Sequence, residues 1–477
     1  MSYVLINKRS IILYFLMVSS ILLIGRLTIN PGMIRNLLFL SLFLVMLGLA
    51  LYYRERIIGL MIVYLAFMGF FRRALIPIAG WSGFDPLLII GPGLTVILAL
   101  LLLWERKNNP SIMKESPDKL MNILFVFGCF QVLNPLSGGP VAGLIASMYI
   151  LVPWLWFYLA FYKFNRSSIK SMMNIIQVIG TVIAVYGIYQ TFFGILPFEM
   201  AWVNISGYAA LYLAEDTVRA FGTFASAQEF VYFIMLTCMI AFARIFTDEN
   251  KFMHISISVL TFSAVFFGGS RTIIFFMFAA MLVILMLVSR NIIGRIIITS
   301  FSILAMSLLW FILPRINPAW FGVAEPIIEH VVAGLTDPLS EELTGIGHLE
   351  RFADGMMSIF SNPIGYGIAS ITKAADKLSG STAMSTEVDI SNMIVALGVG
   401  GIIYSLVIFF TIYKTITLVN ITKRMEYLAV LAVFVGSLGQ WINGGFYLVP
   451  IIIWAFAGWI HKEYKEVRGD KRAFSSS

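Results

Sequence analysis

The chain has 477 residues, 59% of them apolar and only 12% charged, and it carries a formal charge of +8. Soluble domains run at roughly 45–50% apolar and 25% charged, so an ordinary soluble enzyme is excluded. At about 20 apolar residues per span, the composition supplies about fourteen membrane helices and little for a separate aqueous domain.

The fold expected is therefore all-α and polytopic, with residues 1–477 forming a single integral membrane domain. Apolar runs bounded by charge, Pro or Asn fall at 11–25, 37–53, 57–71, 87–104, 120–133, 141–162, 172–193, 227–246, 253–268, 272–289, 296–313, 389–413, 425–442 and 446–461. The first follows Lys8 and Arg9 without a small-residue cleavage site, and is expected to be a retained helix. The first, third and fifth are short for a bilayer about 30 Å thick, which puts the count at about 12–14 and leaves room for a re-entrant pair. Cys129 and Cys238 each sit inside an apolar run, so neither a disulfide framework nor a thiolate metal site is indicated.

If the spans alternate from a cytoplasmic N-terminus, about two thirds of the 33 Lys and Arg fall on the cytoplasmic side. They include Arg106, Lys107, Lys114 and Lys119 in one connection, and Lys462, Lys465, Arg468, Lys471 and Arg472 in a basic tail at 462–477. This bias predicts that both termini are cytoplasmic. The +8 then resolves into a strongly positive inner side and a mildly negative outer side. That arrangement suits anionic headgroups of a lipid bilayer, and no nucleic-acid partner is expected.

Two outer connections, 194–226 and above all 314–388, are too long to be turns, and function is expected there. In the second, Ile327, Ile328, Val331, Val332 and Leu335 share one helical face while Glu329, His330 and Asp337 take the other, which predicts a helix lying at the membrane interface. Residues 350–361 repeat the pattern. Phe352, Met356 and Phe360 form the stripe, Arg351, Asp354 and Ser358 the wet face, and Asn362-Pro363 the stop before the tight turn Gly365-Tyr366-Gly367.

The chain lacks a G-x-x-x-x-G-K-[ST] loop, an H-E-x-x-H pair, a D-x-D pair and a G-x-S-x-G elbow, so nucleotide hydrolysis, zinc proteolysis, metal-held nucleotide sugars and serine hydrolysis lose their usual supports. A lipid-linked substrate carries its own diphosphate leaving group and needs neither metal nor cofactor if arginines neutralise it. Three outer arginines stand where the topological bias requires none. Arg219 lies in Val218-Arg219-Ala220-Phe221-Gly222-Thr223-Phe224, Arg271 follows Gly268-Gly269-Ser270, and Arg351 follows Glu350. Each alone suits a headgroup anchor, whereas three converging guanidiniums would hold a departing diphosphate. Glu387 and Asp389 open the twelfth span. Glu387, Ser391 and Gly398 lie near one face, and Gly398-x-x-Gly401 is expected to admit a neighbouring helix closely. Glu387 is the candidate general base, against a plain helix-capping acid. Of the outer histidines, His330 reads as a surface residue, and His348, three residues before Arg351, as the better catalyst. Tyr366 and Asp389 are candidate substrate contacts. Gln177, Gln190, Gln440 and Asn443 read as bridges between helices.

Four stretches in this order resemble the O-antigen ligase and polymerase superfamily, integral membrane glycosyltransferases acting on undecaprenyl-diphosphate-linked sugars. They are Tyr186-Gly187-Ile188-Tyr189-Gln190-Thr191-Phe192-Phe193-Gly194; Arg219-Ala220-Phe221-Gly222-Thr223-Phe224; Gly269-Ser270-Arg271-Thr272; and Arg351 with Asn362-Pro363-Ile364-Gly365-Tyr366-Gly367 and Gly398-Val399-Gly400-Gly401. Where the ligases carry a His-Asn pair this chain has Glu387-Val388, which is more similar to Wzy-type polymerases. An Arg-x10-Gly pattern of some polymerases is missing, since Phe230, Leu282 and Asn362 stand eleven residues beyond the three arginines. The resemblance implies a bacterial inner-membrane polymerase of O-antigen or exopolysaccharide repeats with an outward-facing site. Its partners would be lipid-linked glycans and proteins that set chain length. A ligase passing finished glycan to a lipid or protein acceptor is the alternative. A transporter or lipid-linked-sugar flippase is the other, although no internal repeat or run of midspan charge supports it.

Overall fold

The computed structural model describes residues 31–475 apart from 54–56, 82–84, 109–115, 208–210, 215–216, 248–249, 290, 337–344, 373–383, 387 and 443–446. In chain order its helices are α1 (Pro31–Tyr52), α2 (Ile57–Ala74), α3 (Ile90–Asn108), α4 (Lys119–Gln131), α5 (Pro140–Lys163) and α6 (Arg166–Phe193). The short α7 (Pro197–Ser206) and a two-stranded antiparallel hairpin, β1 (Tyr212–Ala214) with β2 (Thr217–Val218), occupy the next connection. Then follow α8 (Ala227–Arg244), α9 (Lys251–Phe267), α10 (Arg271–Val288), α11 (Ile292–Ile312), α12 (Glu325–Thr336), α13 (Gly345–Ser361), α14 (Asp389–Leu397), α15 (Val399–Thr422), α16 (Met425–Gly436) and α17 (Leu448–Ser475). The protein is all-α, 84% helical, and that hairpin is the one sheet among the described residues.

Eight of the described helices are long and apolar enough to cross a membrane: α1, α2, α3 with the 3-10 turn before it, α5, α6, α8, α10 and α15. Shorter apolar helices are α4, α9, α16 and the Ile292–Leu304 part of α11. The run at 11–25 lies outside the described residues, as does Asn443. Helix starts carry their local signals. Pro140 opens α5, Asn165 accepts from the N–H of Ser168 at 2.9 Å before α6, and Ser226 accepts from that of Glu229 at 3.1 Å before α8. The core is built on α8, α16 and the first half of α17, buried apart from Gln228, Phe242 and Met425, with Trp154, Trp441 and Trp454 meeting at its centre. At the rim α1, α10 and α11 expose Leu44, Phe275 and Phe301. An outward apolar belt on a helical bundle is what a hydrocarbon surround requires.

The connections gather at two opposite ends. At one, Gln131 Nε2 donates to the carbonyl of Ile364 (2.6 Å), Asn134 Nδ2 to Gly365 (2.9 Å) and Arg73 Nη2 to Gly222 (2.9 Å). At the other, Arg166 Nε donates to Glu426 (2.8 Å), Lys462 Nζ to the Phe164 carbonyl (2.9 Å), and His461 Nδ1 lies 2.7 Å from Asp118.

The expected continuous span at 389–413 is instead two helices. Gly398, with φ 55° and ψ −121°, breaks it between α14 and α15. A side chain there would meet the carbonyl of Pro363 at 2.0 Å, and one at Gly401 would meet Ile394 of the same folded-back chain at 2.5 Å. The glycine pair therefore serves an internal corner rather than contact with a separate neighbouring helix. Breaking a helix leaves its last carbonyls without partners. The turn at 363–367 supplies them, since the N–H groups of Tyr366 and Gly367 donate to Val395 (2.8 Å) and Ala396 (2.9 Å), and Val399 N–H returns a bond to Pro363 (2.9 Å).

Candidate functional site

The segment carrying Arg219 is held from below by a buried polar knot. Arg73, at the last turn of α2 and 1% exposed, pairs with Glu199 of α7 at 3.1 Å. Its guanidinium also donates to the carbonyls of Gly222 and Phe224, and lies over the rings of Phe221 (4.7 Å) and Trp202 (5.1 Å). Glu199 accepts further from Tyr186 Oη (2.9 Å), Gln190 Nε2 (3.1 Å) and the N–H of Leu196 (3.2 Å). Gln190 Oε1 in turn accepts from the N–H groups of Phe221 (3.1 Å) and Gly222 (2.7 Å). The charges of Arg73 and Glu199 offset each other, and the carboxylate and both terminal guanidinium nitrogens are hydrogen-bonded, while Arg73 Nε is enclosed with no hydrogen-bond partner among the described residues. Gln190 thus bridges elements as expected.

Above this knot the backbone N–H of Arg219 donates to Leu211 at 2.8 Å, extending the hairpin by one bond. The Arg219 side chain is half-buried, and its Nε is enclosed with no hydrogen-bond partner among the described residues. Arg271 starts α10 and lies across α12. A side chain at Gly334 would meet its Cδ at 1.9 Å and its Nη1 at 2.0 Å, so the guanidinium rests on bare helix backbone. Helix α12 packs against both the hairpin and α10, which brings the two arginines to one place. Burial, and then the charge of Arg271, lowers the Arg219 guanidinium below its ordinary value.

His330 joins them. The periodicity of α12 puts it on the wet face, but the structure leaves it half-buried, one helical turn from Gly334 on the side where Arg271 lies. Burial first, then Arg271 and Arg219, push its imidazole down to about 4, so it is neutral near pH 7. The rest of the pattern of α12 agrees with expectation, with Ile327, Ile328, Val331 and Val332 buried and Leu335 half-buried. Chemically the cluster offers two guanidiniums and an imidazole to an anion, a donor set suited to phosphate oxygens.

The other sequence candidates lie elsewhere. Arg351 is exposed on α13, its Nε donating to the Gly347 carbonyl one turn back at 3.1 Å, and it is not among the charges that act on Arg219 or His330. In the expected stripe of α13 Phe352 and Met356 are half-buried and Phe360 is 79% exposed, while Gly355 meets Thr386 and Ser391. Glu387 lies outside the described residues, as does the side chain of His348, whose backbone belongs to α13. Tyr366 is half-buried in the 363–367 turn, with its hydroxyl 3.3 Å from that of Ser361. Asp389 is wholly buried: its N–H donates to Gly439 (2.6 Å), and its carboxylate accepts from Ile442 N–H (2.5 Å) and Tyr404 Oη (3.3 Å). These bonds make Asp389 the joint between α14, α15 and the segment after α16.

Arg73, Glu199 and Gly334 belong to no motif. The signal that marks the first is a pair, Arg72-Arg73, ending an apolar run on the side where the Lys and Arg bias asks for none. Arg72 has its own use: with Arg35 it binds the buried Asp85, at 3.1 Å from Arg72 Nε, and lies over Trp81 at 4.7 Å. No protein-family model matches the chain, and no curated protein matches it.

Proposed function

We propose that the protein is a membrane glycosyltransferase that lengthens a polysaccharide, moving a glycan from undecaprenyl diphosphate to a hydroxyl of another lipid-linked repeat. The observation that carries this reading is the meeting of Arg219 with Arg271, drawn from separate connections, at the end of the bundle that the Lys and Arg bias assigns to the exterior. In the reaction the bond between the sugar anomeric carbon and the diphosphate breaks, and a bond from that carbon to the acceptor oxygen forms. The two guanidiniums stabilise the charge gathering on the leaving diphosphate. Glu387 takes the proton of the acceptor hydroxyl. Arg351, on a separate helix, serves the lipid surface or the glycan rather than the diphosphate.

The test is reconstitution of the full chain in nanodiscs with a lipid-linked repeat unit, with products resolved by length. Arg219→Gln and Arg271→Gln should each lose most lengthening, on the order of 100-fold for a guanidinium that acts on developing charge. Arg351→Gln should lose much less. Lengthening that survives in both of the first two variants, or translocation of the lipid-linked sugar with no lengthening, overturns the reading. Transfer only to a non-repeat lipid or protein acceptor converts it to a ligase.

A further inference from the structure

The cluster at α12 holds more than the two arginines that the leaving group requires. His330 and Gly334 are one turn apart on the same side of α12, and the Arg271 guanidinium fills the space that a side chain at Gly334 would take. The hairpin that carries Arg219 packs against the same helix, and Arg219 Nε is enclosed there without a hydrogen-bond partner among the described residues. Three nitrogenous side chains from three segments of chain are thus placed around one spot.

Resting on the reading that this end of the molecule handles a lipid diphosphate, we infer that Arg219, Arg271 and His330 form one diphosphate-binding site, and that His330 takes a proton from solvent when the anion enters. The groups facing His330 account for the direction. From α10 comes Arg271 and from the hairpin Arg219, both cationic, with Tyr212 of β1 half-buried nearby. The 3-10 turn Leu313–Arg315 brings Arg315, which lies over Phe311 at 3.7 Å and donates to that residue's carbonyl. The segment Pro318–Ala324 brings no titratable group, and Lys251 and His254 of α9 lie at its far end. Glu325 and Glu329 of α12 itself are exposed. In the empty site two positive neighbours and burial keep the imidazole neutral, at about 4. A diphosphate reverses the sign of the local field, so the bound state favours imidazolium and gains a third charge-assisted bond. Binding therefore strengthens as pH falls through the value of the bound imidazole, and levels off only below about 4, where the empty site is protonated as well.

The experiment is calorimetric titration of the full chain in phosphatidylcholine nanodiscs with inorganic pyrophosphate, and separately with farnesyl diphosphate, in two buffers of different ionisation enthalpy. Because both ligands titrate themselves, the quantity read is the difference between wild type and His330→Gln. The expected result is up to about one more proton taken up by wild type near pH 7, and affinity that rises about tenfold more between pH 8 and pH 6 than in the variant. His330→Arg, which fixes the charge, should bind well with no extra proton. Farnesyl diphosphate binding much more tightly than pyrophosphate identifies a lipid headgroup as the natural ligand, and equal binding identifies free diphosphate, either with the proton signature intact. Equal proton numbers in wild type and His330→Gln, or no binding of either ligand, overturn the inference. The two readings fail separately. Intact glycan lengthening without the His330 signature sinks this one, while the signature with no lengthening sinks the polymerase.

Discussion

Glu199 of α7 lies 3.1 Å from Arg73 at the end of α2, and neither side chain reaches solvent. The pair fixes the backbone of Gly222 and, through Gln190, that of Phe221, so it sets where Arg219 leaves the hairpin. Removing one partner strands a buried charge, a loss of about 3–5 kcal/mol, whereas replacing both by apolar groups restores much of it. Arg73→Met should therefore lower the melting temperature of the purified protein sharply, and Arg73→Met with Glu199→Met should recover a large part of the drop. A single variant as stable as wild type would show that the pair is not the anchor.

The corner at Gly398 makes a second, sharper demand on one residue. Its φ of 55° with ψ of −121° is closed to residues with a side chain, and a Cβ would meet the Pro363 carbonyl at 2.0 Å. Strain of this kind costs about 1–3 kcal/mol and forced overpacking about as much again. Gly398→Ala should open the junction of α14 with the 363–367 turn, read as new protease cleavage near 362–398 and a lower melting temperature. Gly400→Ala, in regular helix with φ below zero, is the control and should be milder, since the nearest obstacle there is the ring of Phe127.

This corner also shows where the sequence is silent. An apolar run of helical length reads as one span, and Gly398-x-x-Gly401 reads as a packing motif. What turns it into a break is the 363–367 segment, some thirty residues upstream, whose N–H groups cap the interrupted helix. Arg219 and Arg271 stand out in the sequence because a cation that the Lys and Arg bias assigns to the outer side has no topological work to do. His330 was not. Helical periodicity fixes its place relative to the apolar stripe of its own helix, but says nothing of α10 and the hairpin, which cover the flank. Glu199 is hidden for a similar reason, since a single acid in a loop looks solvated until its partner, more than a hundred residues earlier, is placed beside it.

At the opposite end Asp118 joins α4 to α15 and α17, with His461 Nδ1 at 2.7 Å and the Lys414 ammonium in contact. Burial raises the Asp118 carboxyl, but the hydrogen bonds and charge of His461 and Lys414 outweigh it and hold the group well below the usual carboxylate range. A carboxyl depressed in the folded state contributes stability above its unfolded value and loses it as pH falls through the folded one. The melting-temperature gap between wild type and Asp118→Asn should stay constant from about pH 8 to about pH 5 and shrink only below about pH 4. A gap that closes near neutrality would mean that His461, rather than Asp118, governs the joint.

Gly334 separates the proposed anion site from the stability of the helix that bears it. A glycine inside α12 weakens the helix by about 0.5–1 kcal/mol relative to alanine, so Gly334→Ala by itself favours folding. The added methyl, however, takes the space of Arg271 Cδ and Nη1, which stand 1.9 and 2.0 Å from where it would sit. The arginine must swing away, and the diphosphate loses a charged hydrogen-bonding partner worth about 1.5–3 kcal/mol, or on the order of 10- to 100-fold in affinity. The expected outcome is a variant that melts at or near the wild-type temperature and binds pyrophosphate at least tenfold more weakly. Gly334→Ala with Arg271→Gln should bind no worse than Arg271→Gln alone, because the methyl then displaces nothing that the ligand uses. Two independent losses that multiply would instead place Gly334 in contact with the ligand itself, and Arg271 at a different point of the site.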